Sequence, residues 1–113
     1  MSAPPQPASA GRETVRTVAP KLIELTEQVV YGDVWERPGL SKRDRSLITV
    51  AALIATYRPE QLETHLGRAL NNGVTKEEIA EVITHLAFYA GWPAAMSAAQ
   101  LAYTVLVEGK KGE

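Results

Sequence analysis

The chain contains no cysteine. Disulfides, thiolate metal sites and thiol redox chemistry are therefore excluded together, because each depends on a thiolate. Charge of one sign is also lacking: 12 Lys and Arg face 13 Asp and Glu, a net of −1 at pH 7. Such a balance creates no field to attract nucleic acid or an anionic lipid surface, and neither is expected as a partner. The longest apolar run falls well short of the roughly 20 residues that span a bilayer. No segment alternates with the period of a strand, and no internal repeat is present. Only two histidines occur, His65 and His85. With no third ligand one turn away on either helix, they make a poor metal site, and none is expected.

What is present is helical periodicity. The chain is organised around SKRDRSLITVAALIATYRPEQLETH, from Ser41 to His65. Between Leu47 and Ala55 every residue except Thr49 is apolar, so a helix there has no wet face and must be surrounded by other helices or by subunits. Ser41 with Asp44 three residues on forms a capping start. Pro59 ends that helix and fits the first turn of the next. In this second helix Leu62, Leu66, Ala69 and Leu70 form the apolar stripe, and His65 lies beside it. Asn71, Asn72 and Gly73 signal its end.

The next start is the clearest in the sequence, because Val74, Thr75, Glu78 and Ile79 combine a hydrophobic staple with a capping box. Ile79, Val82, Ile83, Leu86, Ala87 and Ala90 continue the stripe to Gly91, with His85 at its edge. Trp92 and Pro93 open a last helix, reaching Glu108, whose alanines at 94, 95, 98, 99 and 102 suit close packing within the chain or across a subunit contact. Upstream, Thr17 to Val30 is predicted as one helix with Pro20 in its first turn. Tyr31 to Pro38 then connects it to the apolar helix, and Trp35 there is either a lid over the core or a wall of a ligand pocket.

The chain of 113 residues is thus expected to be all-α. A loose leader spans residues 1–13, a helical domain 14–109 and a solvated tail 110–113. So small a domain covers an all-round apolar helix poorly, and a homo-oligomer is expected. The leader is rich in Pro, Ala and Ser and has no apolar signal region, so a cytoplasmic location is expected.

Polar residues beside apolar stripes are the candidates for chemistry: Arg45, Arg58, Glu63, His65, His85 and Tyr89. Histidine exchanges protons near neutral pH, so the pair offers general acid and base catalysis. Each histidine also has a purely structural use, bonding a helix end.

The stretches GDVWERPGLSKRDRSLITVAALIA and LETHLGRALNNGVTKEEIAEVITHLAFYAGWPAAMSA resemble the carboxymuconolactone decarboxylase family of the AhpD-like superfamily, over residues 20 to 108. The resemblance implies an AhpD-like helical bundle that assembles as a trimer or hexamer. The superfamily's peroxidase branch carries C-x-x-C-x-x-x-H with an upstream glutamate. Here His65 matches the histidine, but Arg58 and Gln61 hold the cysteine positions and Ser46 the glutamate position, so no thiolate exists to attack a peroxide. The decarboxylase branch remains. It departs at one element, where decarboxylases carry a Gln and a Cys and this chain has His85 and Ala90.

The resemblance implies a cofactor-free lyase acting on a small lactone or keto acid of aromatic catabolism. The departing carboxyl group leaves its electron pair spread onto a carbonyl oxygen as a dienolate, which is then protonated on carbon. Arg45 or Arg58 suits the carboxylate, and His65 or His85 the proton. Catalytic candidates are thus His65, His85 and Arg45. Trp35, Arg58, Glu63, Phe88, Tyr89, Trp92 and Met96 are candidates for holding the substrate. The alternative is an oligomeric small-molecule-binding protein that has kept the pocket without the chemistry.

Overall fold

The structure is a computed structural model that describes residues 10–109. Among these residues it is all-helical, with α1 (Ala10–Val18), α2 (Pro20–Leu25), α3 (Lys42–Ala55), α4 (Pro59–Asn71), α5 (Lys76–Tyr89) and α6 (Trp92–Leu106). They fall into two compact units that divide between Leu40 and Ser41. No helix among the described residues is long and apolar enough to cross a membrane.

In the first unit the single helix expected from Thr17 to Val30 is broken. Pro20, without an N–H to donate, starts a new helix at its first position after Ala19, which leaves helical geometry at φ −137°. Beyond α2 the backbone widens to a π-helical turn at Thr26–Val30, and a short 3₁₀ turn follows at Val34–Glu36. The first described residue, Ala10, is already helical, inside the stretch read as a loose leader; residues 1–9 and the tail 110–113 lie outside the described residues. Of the apolar positions expected in this segment only Ile23 is buried. Arg16 pairs with Glu13 and Glu27, joining α1 to the π-helical turn.

The second unit is a four-helix arrangement in which α3 and α6 each pack on both α4 and α5. Val50 and Ile54 of α3, Leu62, Leu66 and Ala69 of α4, Ile79 of α5 and Ala98, Ala102 and Val105 of α6 form its core. The apolar helix α3 is not wholly covered within the second unit: Ile48 is 56% exposed. The side opposite Val50 and Ile54 is open, as Ala52 and Ala55 are exposed too.

Local chemistry explains the boundaries. Ser41 Oγ accepts from the Asp44 N–H at 3.0 Å, satisfying one free donor of the first turn of α3. Thr75 and Glu78 complete the reciprocal capping box of α5, and Glu78 also takes Arg43 from the start of α3. At the end of α4, Val74 N–H donates to Ala69 C=O at 2.9 Å and Gly73 N–H to Leu70 C=O at 3.1 Å. This Schellman closure needs a left-handed residue, and Gly73 supplies it at φ +100°.

Candidate functional site

The α3–α4 junction is closed by the same pair of bonds. Arg58 N–H donates to Leu53 C=O at 2.9 Å and Tyr57 N–H to Ile54 C=O at 3.2 Å. Arg58 C=O then accepts the Leu62 N–H at 2.9 Å as the first bond of α4. Both sides of the Arg58 backbone are thereby pinned, one ending a helix and one starting the next. Arg58 lines a shallow, open cleft of about 10 Å³, room for little more than one water, between this junction and α6. From α3 and the junction, Leu53, Ile54, Tyr57 and Pro59 join it. From α6 come Ala94, Ser97, Ala98 and Leu101, spaced i, i+3, i+4 and i+7 on one face. The two alanines leave the space that larger side chains would fill.

A second polar line runs along α4. His65, Arg68 and Asn72 recur at intervals of three and four residues, so they share one flank of the helix, with Arg58 at its non-helical N-cap. Asn72 Nδ2 donates to Ser46 Oγ at 3.0 Å, which ties this flank to α3 next to Arg45. His65, Arg68 and Arg45 are half-buried, and the Nδ1 of His65 and the Nε of both arginines are buried atoms. Burial, with a smaller contribution from the Arg68 guanidinium, pushes the His65 imidazole down to about 4. It is neutral at pH 7. Glu63, two positions before His65, points to nearly the opposite flank of α4.

The other candidates sit elsewhere. His85 is on α5, and α4 and α5 are separated by α3 and α6. It is exposed, its ring stacked on Tyr89 at 4.7 Å. Phe88 meets Trp92 edge to face at 5.6 Å, and with Met96 and Tyr89 these side chains form an exposed apolar face on α5 and α6. Trp35, in the first unit, packs against Tyr31 at 5.8 Å. Of the candidates, Arg58 alone lines the cleft, and His65 lies two turns along α4 from it.

Tyr57 and Ser97 were not among the candidates. Ser97 carried a usable signal: it is a hydroxyl at i+3 from Ala94 and i−4 from Leu101 on the small-residue face of α6. Tyr57 carried none beyond its place before Arg58 and Pro59, since its left-handed conformation belongs to glycine by propensity.

The sequence of this all-helical chain matches a known family. The pattern of the Carboxymuconolactone decarboxylase family matches residues 20–104, and the chain belongs to that family. It is 48% identical over 75 residues to a 4-carboxymuconolactone decarboxylase of Acinetobacter baylyi, covering 66% of this chain and 56% of the relative. It is 41% identical over 75 residues to a nitrosuccinic acid decarboxylase of Metarhizium robertsii, covering 66% and 52%. An uncharacterized 15.0 kDa protein of Paracoccus denitrificans is 31% identical over 101 residues, covering 88% and 72%. The chain thus spans about half the length of the two decarboxylases it matches.

Proposed function

We propose that the chain decarboxylates a small carboxylic acid without a cofactor, and that His65 returns the proton to carbon. The observation that carries this is the setting of His65, half-buried on α4 and held neutral by burial and Arg68. In the reaction the bond between the carboxyl carbon and its neighbour breaks and carbon dioxide leaves. The electron pair spreads onto the oxygen of an adjoining acceptor, and a proton then joins the carbon. A lactone carbonyl gives a dienolate; a nitro group gives a nitronate. The names of the two decarboxylase relatives cover both acceptors, which supports a class of substrate rather than one compound.

His65 suits the proton step because its protonated form is disfavoured and hence strongly acidic. An anionic substrate beside it favours the charged form, so the imidazole takes up a proton as substrate binds and gives it up once carbon dioxide has left. Arg58 in the cleft, with Arg45 and Arg68 along the α3–α4 seam, provides cations for carboxylate and developing oxyanion. We propose small acids of aromatic catabolism as the substrate class and the cytoplasm as the location.

Assembly is part of the proposal. The open side of α3 at Ile48 and the aromatic face of Phe88, Tyr89, Trp92 and Met96 support a trimer or hexamer that covers them. His85 and its neighbours then belong to a surface completed by another copy. The direct test mixes the purified protein with carboxymuconolactone and follows substrate loss by ultraviolet absorbance. Loss at a rate above the uncatalysed one supports the lyase; binding without loss favours the non-catalytic binding protein.

A further inference from the structure

The last helix, α6, carries two apolar faces. One is buried in the core, through Ala95, Ala98, Ala102 and Val105. The other is made of Trp92, Met96, Ala99, Tyr103 and, at the C-cap, Val107, which at intervals of four, three, four and four residues keep to a single stripe. The second unit leaves this stripe open: Trp92 is 59% exposed, Met96 51%, Tyr103 55% and Val107 67%. Such spacing is the seam by which one helix packs along another at a small angle. Phe88 of α5 braces it, meeting Trp92 edge to face at 5.6 Å.

The chemistry of the seam says what covers it. The whole of α6, WPAAMSAAQLAYTVL, contains no charged residue, so its flanks hold nothing with which to select an unlike partner by charge. Size is what is patterned. When the helix is paired with an antiparallel copy of itself about a point between Ala99 and Gln100, Trp92 falls opposite Val107 and Met96 opposite Tyr103, because both pairs are centred there. Each ring then meets a flexible or smaller side chain, and the thioether of Met96 suits the Tyr103 ring. The small Ala99 at the centre lets the two backbones approach. A parallel pairing would instead set Trp92 on Trp92 and Tyr103 on Tyr103 and leave a gap at Ala99. The area also suffices. Phe88, Tyr89, Trp92 and Tyr103 are each more than half exposed and together offer roughly 500 Å². Met96, Val107 and their neighbours bring the face toward the about 800 Å² per partner that a standard interface buries.

We infer that α6 pairs antiparallel with α6 of a second copy, across a two-fold axis that passes between Ala99 and Gln100. The inference rests on the assembly reading above and deepens it, because it names the partner element, its direction and its register, and requires an even number of copies.

The chain has no cysteine, so single-cysteine variants of the full chain report the register directly. Ala99→Cys is expected to cross-link into dimers with a short bis-maleimide, since its two copies lie beside the axis. Val107→Cys is expected not to, because its copies lie about 22 Å apart along the helices. Light scattering of wild type should give an even number of copies. Ala99→Arg, at an exposed position where two like charges would meet, should halve that mass while circular dichroism keeps the helical signal. A wild-type trimer, an unchanged mass in Ala99→Arg or an Ala99→Cys protein that does not cross-link would overturn the α6 pairing and leave assembly through another face standing. Cross-linking of Val107→Cys as readily as Ala99→Cys would overturn the antiparallel register. A wild-type monomer would overturn the pairing and the assembly together.

Discussion

Asn72 donates its side-chain N–H to Ser46 Oγ at 3.0 Å, across the hairpin of α3 and α4, and Ser46 is 0% exposed. The resemblance sets Ser46 at the position where the peroxidase branch carries a glutamate. The bond replaces a titratable group with a neutral clasp and fixes the flank of α4 that carries His65 and Arg68 against the start of α3. Removing either partner strands a buried polar group. Ser46→Ala and Asn72→Ala are each expected to lower the unfolding free energy by about 1 kcal/mol. The double variant should cost less than the sum of the two, measured by urea unfolding. Strict additivity would show that the contact contributes nothing.

The depressed His65 imidazole links stability to pH. Its folded value is about 4 against an ordinary 6.5, so between these values the unfolded chain holds a proton that the folded chain does not. Stability is complete above pH 6.5 and declines as pH falls toward 4. At this half-buried site the loss, discounted for solvent screening, is on the order of 1–2 kcal/mol. Glu78 is lowered by the Thr75 N–H and by Arg43, so its contribution fades only at more acid pH. His65→Gln should flatten the slope between pH 6.5 and 4 in denaturant titrations. A slope that persists in the variant assigns the effect to other groups.

The four helices of the second unit were legible because their signals are local. Ser41, Pro59, Thr75 with Glu78, and Gly73 each act through backbone groups a few residues away, and helix period set the buried faces. The break at Ala19 was half legible: Pro20 was noticed, but whether it continues a helix or starts one depends on the preceding residue's dihedrals. The exposure of Ile48 was not legible, because an apolar run states only that burial is favourable, not that the neighbouring helices of the second unit supply a cover. The cleft was the least accessible. It joins Tyr57 and Arg58 to Ser97, about 40 positions later in the sequence, through helix packing that no local pattern encodes. The half-burial of His65, by contrast, was legible, because it follows from lying beside the Leu62–Leu66 stripe.

Exposed apolar surface predicts assembly. Phe88 is 74% exposed, and Tyr89, Trp92 and Met96 lie open around it. A contiguous face of this kind marks an interaction surface. Light scattering of the purified chain should give the mass of a trimer or hexamer, and Phe88→Asp should shift it toward smaller species. A stable monomer in the wild type would contradict the assembly.

His85 tests the choice of substrate. Its ring is exposed and stacked on Tyr89, so His85→Gln should change stability by no more than about 0.5 kcal/mol. Glutamine is the residue that the resemblance gives to decarboxylases at this point, and the variant is expected to turn over carboxymuconolactone faster than wild type does. Equal rates in the two proteins would remove His85 from the site and leave it a surface residue.

The most direct measurement compares wild type with His65→Gln in the ultraviolet assay of carboxymuconolactone loss at pH 7, after circular dichroism has established that both are folded. Glutamine keeps the size and hydrogen bonding of the side chain but cannot carry a proton to carbon. The rate is expected to fall on the order of 10²-fold or more. An unchanged rate in a folded His65→Gln protein would contradict the role given to His65.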